Sequence, residues 1–178
     1  AAWVADQPLE TPTELTFICT HNSRRSHMGQ IWAQAAAWHF GLNDVRTFSG
    51  GTEATAFNPR AVRSLRELGV AIDVNKEADN PVYTVQLQSD RPSFEAFSKT
   101  YGDATNPSEG YAAVMVCSSA DQGCPIVYGS AARFAIPYID PKASDGTDAE
   151  AATYRAAAMQ IGTEAFYVMA RAAELRAQ

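Results

Sequence analysis

Long apolar runs, basic excess and cysteine are what this chain has least of, and each shortage narrows what it can do. No stretch approaches the roughly 18 consecutive apolar residues of a membrane-spanning helix, so no membrane partner is expected. Lys and Arg number 14 against 20 Asp and Glu, a formal charge of −6. A surface of that sign disfavours nucleic acid and anionic lipid, and any anion site has to be built locally against the global field. The first residues, Ala1-Ala-Trp-Val-Ala-Asp-Gln7, have no basic region and no apolar core, so no signal peptide is expected, while the absence of Met there leaves a processing boundary open. Three cysteines are an odd number in a chain of 178 residues, which is long enough to fold around its own core without disulfide staples. Reactive thiols in a reducing, cytoplasmic setting fit that count better than a disulfide scaffold. With 46% hydrophobic and 19% charged residues, the composition is that of one ordinary globular domain over residues 1–178.

The most informative residues are Cys19-Thr-His-Asn-Ser-Arg-Arg25-Ser26. They follow a short apolar run, Leu15-Thr-Phe-Ile18, and precede a helical pattern in which Met28, Ile31, Trp32, Ala35, Ala36 and His39 recur on one face. A helix N-terminus offers unpaired N–H groups and the positive end of the macrodipole, a combination that binds tetrahedral anions. The same field favours the thiolate of Cys19 near neutral pH. Arg25 adds a planar fork for two oxygens of one anion, and Ser26 a hydroxyl for the thiolate or the helix cap. The loop Thr20, His21, Asn22, Ser23, Arg24, Arg25 and Ser26 is therefore the expected oxyanion cradle. The bland alternative is a buried structural cysteine beside two solvated arginines.

Along the chain, residues before Glu14 form a loose lead-in. A strand is expected at 15–19, a helix at 26–40 closed by Gly41, a strand at 45–48 ending in Ser49-Gly-Gly51, and a helix opened by Asn58-Pro59. This alternation predicts a parallel sheet with crossover helices. Further on, 82–88 alternates as an edge strand, 93–100 has the spacing of a short helix, 112–117 is a buried strand, 134–139 is another strand, and one long Ala-rich helix runs from about 147. The stripe Tyr154, Ala158, Ile161, Ala165, Val168, Met169 and Leu175 on that last helix is expected to pack into the core.

Cys117 and Cys124 lie seven positions apart just past a strand. In a helix they would sit about 10 Å apart along the axis, beyond the roughly 7 Å Cα separation a disulfide permits. They can bond only if the segment bends or unwinds, to which Gly123 and Pro125 are suited; two unrelated buried thiols remain the alternative. Asp140-Pro141 ends a strand expected to neighbour the first one, which would bring Cys19, Cys117 and Asp140 to the same sheet edge. An aspartate facing a thiolate and a bound oxyanion has its proton affinity raised and can act as general acid. Asp145 and Asp148 are read as loop and helix-start residues.

With these residues in view, the chain resembles the low-molecular-weight protein tyrosine phosphatase superfamily, and within it the thioredoxin-coupled arsenate reductases. The family loop Cys-Thr-Gly-Asn-Ser-Cys-Arg-Ser is similar to residues 19–26, Cys-Ser-x-Ala-Asp-x-x-Cys-Pro to 117–125, Ser-Ala-Gly-x-Glu…Asn-Pro to Ser49-Gly-Gly-Thr-Glu53…Asn58-Pro59, and the Asp-Pro of the family's general acid to Asp140-Pro141. The resemblance implies a three-layer α/β sandwich around a central four-stranded parallel sheet; residues 79–110 fall outside it as an insertion, where the alternation of 82–88 offers a candidate extra edge strand. It implies a catalytic set of Cys19, Arg25, Asp140, Cys117 and Cys124. Cys19 would attack arsenate, Asp140 would protonate the departing hydroxyl, Cys117 would attack Cys19 to release arsenite, and Cys124 would move the disulfide to the surface for thioredoxin or a similar thiol reductant. It implies no bound cofactor, and no metal: Gln30 and Ala78 stand where some relatives place acidic ligands for a potassium ion. His21 replaces the family glycine, Arg24 replaces a smaller residue and is read as solvated, and Asn22 takes the position of a left-handed backbone.

Three activities share this beginning. Arsenate reduction is expected first. Hydrolysis of phosphotyrosine or another aryl phosphate ester through a phosphocysteine is second, weakened because Lys142-Ala-Ser follows Asp-Pro where aromatics are usual, although Phe48, Phe57 and Tyr138 remain candidates for an apolar wall. A redox-sensing or anion-binding module without turnover is third.

Overall fold

The computed structural model describes residues 1–124 and 126–178. Pro125, expected to help residues 117–124 unwind, lies outside them. Strand β1, Thr13–Cys19, pairs in parallel with β2, Val45–Gly51, on one side and with β6, Ala112–Met115, on the other, and β7, Ala132–Ala135, completes the sheet beyond β6. The order β2-β1-β6-β7 is the four-stranded parallel sheet expected. Leu15 and Ile18 point to opposite faces, as strand alternation requires, and each belongs to its own buried cluster. One is built with helix α2, Arg25–His39, and helix α5, Glu150–Arg176. The other is built with Tyr111, Val127 and the short helix α4, Ser118–Gly123. Gly41, at φ 75°, ends α2 as anticipated. Helix α3, Pro59–Glu67, has Asn58 as N-cap, its side chain accepting the Arg60 N–H at 2.9 Å.

Four expectations need correction. The lead-in contains a short helix α1, Ala2–Ala5, whose Val4 is buried against α2 and α5. The strand before Asp140 neighbours β6 rather than β1, and it stops at Ala135, so Asp140 is reached through four further residues and caps a 3-10 turn at Pro141–Ser144.

The third and fourth corrections concern the insertion. It does not add an edge strand to the central sheet. Instead, β3 (Ala71–Lys76), β4 (Val82–Gln86) and β5 (Phe94–Ala96) make a separate antiparallel sheet, packed through Ile72, Tyr83, Val85 and Ala96 onto Met28, Ile31, Phe57 and Leu65. The helix expected at 93–100 is β5 followed by an extended strap. Phe94 and Phe97, three apart, imitate helical spacing, but the buried positions are Ala96, Ser98 and Lys99, two small residues and a lysine that carry little hydrophobic signal. The strap crosses to the central sheet, where Thr100 bridges Gly51 in parallel.

The end of α5 is tied down by one ion pair. Arg176 Nη1 and Nη2 donate to Asp44 Oδ1 and Oδ2 at 2.6 and 2.8 Å, and Nη2 also reaches the Val4 carbonyl at 2.9 Å. The Arg176 bonds, more than any other cause, hold the Asp44 carboxyl below the ordinary carboxylate range. Asp44→Asn is expected to cost about 1–3 kcal/mol in urea unfolding at neutral pH. Because the folded-state value is depressed, the difference from wild type is full above the ordinary carboxylate range and disappears as pH falls through the lowered one.

Candidate active site

Parallel pairing sets Cys19 beside Gly51, at the carboxyl ends of β1 and β2. From there residues 20–24 curl into the start of α2. Asn22 is the only non-glycine among the described residues with positive φ, 44°, which Asn tolerates because its short polar side chain can bond locally. Four carbonyls of this stretch point outward and are caught. Cys19 O accepts from Thr52 N (3.1 Å), Thr20 O from Glu53 N (2.8 Å), His21 O from Ser98 Oγ (2.9 Å) and Thr55 Oγ1 (3.2 Å), and Ser23 O from Asn58 N (2.8 Å). The N–H groups of His21, Asn22, Ser23 and Arg24 donate to nothing among the described residues. A nest of free donors at a helix start, with a thiol beneath it, is an anion cradle.

Gly51 lets the loop lie this close. A Cβ there would stand 2.2 Å from Glu53 O and 2.7 Å from both Asn22 N and Thr20 O. These are backbone atoms that cannot move without the loop.

A directed chain of hydrogen bonds ends on the thiol. The Lys99 N–H can only donate, so the Asn22 side-chain atom 2.9 Å away is Oδ1 and the other end of the amide is Nδ2. Asn22 Nδ2 donates to Ser26 Oγ at 2.8 Å, which leaves the Ser26 hydroxyl hydrogen for Cys19 Sγ at 3.1 Å. Cys19 and Ser26 are both buried.

Arg25 closes the cradle from the side. Its Nη1 donates to the Tyr138 carbonyl at 2.9 Å and its Nη2 to Asp140 Oδ2 at 2.6 Å, while Nε is buried without a partner among the described residues. Asp140 also accepts the Lys142 N–H at 3.0 Å through Oδ1. Arg24 is not solvated as expected. Its side chain is 11% exposed, with Nε donating to Tyr154 Oη at 2.7 Å and Nη2 to Asp145 Oδ2 at 3.4 Å. Tyr154 Oη donates in turn to Asp145 Oδ1 at 2.7 Å, and burial, then that bond, raise its pKa to about 12. His21 points outward, half exposed, 3.8 Å from Glu53. Cys19, His21, Ser23, Arg24, Arg25 and Asp140 line the cleft.

The second thiol is adjacent. Cys117 is buried at the N-cap of α4, its Sγ 3.5 Å from Thr20 Oγ1 and accepting the Ala120 N–H at 3.3 Å. Cys124, half-buried, caps the other end of the same helix. Arg133 on β7 latches that end through Asp121 Oδ1 (2.5 Å), Asp121 O (2.8 Å) and Cys124 O (3.1 Å). All three cysteines are free thiols.

The family model for low-molecular-weight phosphotyrosine protein phosphatase matches residues 14–85. Arsenate reductase 2 of Staphylococcus epidermidis is 29% identical over 126 residues, covering 70% of this chain and 76% of that protein. Arsenate reductase of Halalkalibacterium halodurans is 27% identical over 147 residues, 82% of this chain and 87% of that one. Over residues 14–85 the chain is similar to the low-molecular-weight phosphotyrosine protein phosphatase family. Its fold matches the solution structure of a low-molecular-weight protein tyrosine phosphatase from Bacillus subtilis with a TM-score of 0.61 at 16% identity, over 93% of this chain and 100% of that one. An arsenate reductase solved in its phosphate-binding state matches with a TM-score of 0.57 at 16% identity, over 89% and 98%.

Sequence reasoning missed Ser98, Lys99 and Tyr154 as parts of this site, and none of them lies in a motif. It also missed His27. This side chain is fully buried, stacked on Phe57 with ring centroids 3.9 Å apart, with Nδ1 3.3 Å from Ser49 Oγ. Burial first, and the charge of Lys99 second, lower its pKa from 6.5 to about 3.

Two outcomes follow. Gly51→Ala should abolish protection of Cys19 by inorganic phosphate against iodoacetamide, and should lower the thermal midpoint. For His27, the unfolded chain binds the proton that the folded chain refuses, so stability falls as pH drops below the unfolded value. In urea titrations between about pH 5 and 6.5, above the carboxylate range, His27→Gln should flatten that slope.

Proposed function

We propose that this protein is an arsenate reductase working through a thiol relay. The observation that carries the reading is Cys117, a buried thiol held against Thr20 of the anion loop, with Cys124 at the far end of the same six-residue helix. The curated relatives named arsenate reductase support it.

In this reading arsenate sits in the nest formed by residues 20–26, with two oxygens on the free Arg25 Nε and on Nη2, which exchanges Asp140 for the anion. Ser26 stabilises the Cys19 thiolate, which attacks arsenic. The hydroxide that leaves takes a proton from Asp140, now released from Arg25. Cys117 then attacks Cys19 Sγ; the S–As bond breaks, its electron pair stays on arsenic, and As(V) departs as As(III) with a Cys19–Cys117 disulfide left behind. Cys124 attacks Cys117, transferring the disulfide to the Cys117–Cys124 pair and freeing Cys19. That last exchange requires α4 to unwind and the Arg133 latch to open, since the two cysteines cap opposite ends. An external dithiol of the thioredoxin kind restores the pair; no bound cofactor takes part.

Hydrolysis of an aryl phosphate uses the same Cys19, Arg25 and Asp140. The aromatic wall it would need is weakened by where the candidates lie. Phe57 is buried beneath His27, and the Tyr138 hydroxyl is turned to Glu164 on α5 at 2.8 Å.

The test is arsenate-dependent NADPH oxidation with thioredoxin and its reductase, run beside aryl phosphate hydrolysis. Cys124→Ser should lose arsenate turnover while any phosphate hydrolysis persists. Undiminished arsenate turnover in that variant would refute the relay, and hydrolysis without reduction in the wild type would make the protein a phosphatase.

A further inference from the structure

The strap after β5 has no part in the chemistry just described, yet it makes more contacts to the anion loop than its distance in sequence suggests. Ser98 is 2% exposed and uses every polar group it has. Its Oγ donates to the His21 carbonyl at 2.9 Å and accepts the Thr55 N–H at 2.8 Å. Its N–H donates to Asn80 Oδ1 at 3.1 Å, and its carbonyl accepts Asn80 Nδ2 at 2.8 Å. The next residue, Lys99, gives its N–H to Asn22 Oδ1 and takes the Gly51 N–H on its carbonyl at 2.9 Å. Tyr101 N–H returns to Gly51 O at 2.9 Å, and Asn106 Nδ2 holds Ser49 O, Thr100 O and Tyr101 O.

We propose that Ser98 is a positioning residue for the anion site, and that the strap it anchors sets the orientation of the Asn22 amide and thereby the direction of the hydrogen-bond chain that ends on Cys19. The reasoning is about direction as well as contact. An Asn amide can present either end to Ser26. With Oδ1 toward Ser26, the serine would give its hydrogen to Asn22, and its lone pairs would then face the thiolate. The Lys99 N–H forbids that arrangement, because a second donor against Nδ2 would leave both unpaired in a buried site. Ser98 fixes the neighbouring peptide. Its bond to the His21 carbonyl keeps that carbonyl outward, and so keeps the N–H of Asn22, in the same peptide unit, turned into the nest. Asn80 holds Ser98 by both backbone groups and bonds no loop residue among those described, so it anchors the strap from behind.

The proposal rests on the oxyanion-site reading, and its test separates the two. Cys19 alkylation by iodoacetamide is measured at fixed pH, with inorganic phosphate as the protecting anion, for wild type, Ser98→Ala, Ser98→Thr and Asn80→Ala. Each variant is checked by circular dichroism and thermal unfolding. If phosphate does not protect the wild type, the anion-site reading fails before the strap is tested. Where it does, Ser98→Ala should raise the phosphate concentration for half-protection by roughly tenfold, the effect of one lost hydrogen bond in a buried network. Alkylation without phosphate should slow as well. Ser98→Thr, which keeps the hydroxyl, should recover most of the protection, and Asn80→Ala should fall in between. In turnover, kcat should fall along with kcat/KM, because the thiolate as well as the anion is misplaced. A Ser98→Ala protein that unfolds earlier but keeps wild-type protection and alkylation rate would overturn the proposal and leave Ser98 a structural residue. Should Ser98→Ala not fold, Asn80→Ala decides: unchanged protection there overturns the proposal equally.

Discussion

An anion cradle made of backbone is possible only if the carbonyls of the same peptides are satisfied elsewhere. Each peptide that turns its N–H inward turns a C=O outward, and a buried carbonyl without a donor costs about 1–3 kcal/mol. In this molecule the constraint is met by a ring of donors outside the loop: Thr52, Glu53, Thr55 and Asn58 from the connection between β2 and α3, and Ser98 from the strap. The connection from β2 to α3 is therefore as much a part of the site as the loop itself. It explains why Gly51 must lack a side chain and why Asn58 serves twice, its N–H holding Ser23 O and its side chain capping α3.

The positive charges follow a similar division. Two arginines sit side by side in a protein of net charge −6, and they do different work. Arg24 is committed to Asp145 and Tyr154, so its charge binds the start of α2 to the end of the 3-10 turn and to α5. Arg25 keeps one donor, Nε, unpaired among the described residues, and holds Asp140 with another. A guanidinium with an open donor and an exchangeable carboxylate is suited to trade one anion for another. A pair of solvated arginines would not be, since side-chain freedom and screening would erode both contacts.

Much of this was legible before any coordinates. The cysteine at the strand end, the left-handed Asn22, the Asn58-Pro59 helix start and the long packed helix all depend on local chemistry, where residue type and backbone requirement agree. The illegible parts depend on contacts distant in sequence. Ser98 is 77 residues from His21, and a buried serine looks like any loop serine in the absence of its partner. Arg24 looked solvated because Tyr154 is 130 residues away. The strap has the sequence pattern of a helix because its buried residues, Ala96, Ser98 and Lys99, do not outweigh two phenylalanines spaced three apart. The separate antiparallel sheet was missed for a related reason: in β3 only Ile72 is buried, so the alternation that marks a strand is nearly absent there.

What distinguishes a reductase from a hydrolase on this scaffold is the fate of the sulfur after the first attack. Water needs only Asp140 and an open face, whereas reduction needs a second thiol in reach and a way to carry the disulfide off. Cys117 is held by an N-cap bond and by Thr20, both weak sulfur contacts that an attacking thiolate can leave at little cost. Cys124 is held more firmly, because its helix end is latched by the Arg133 guanidinium. In the proposed relay the exchange between Cys117 and Cys124 asks for the loss of a whole helix, because the two cap its opposite ends. A six-residue helix has little intrinsic stability of its own, so the Arg133 latch, more than helix propensity, holds the Cys124 end of α4 in place.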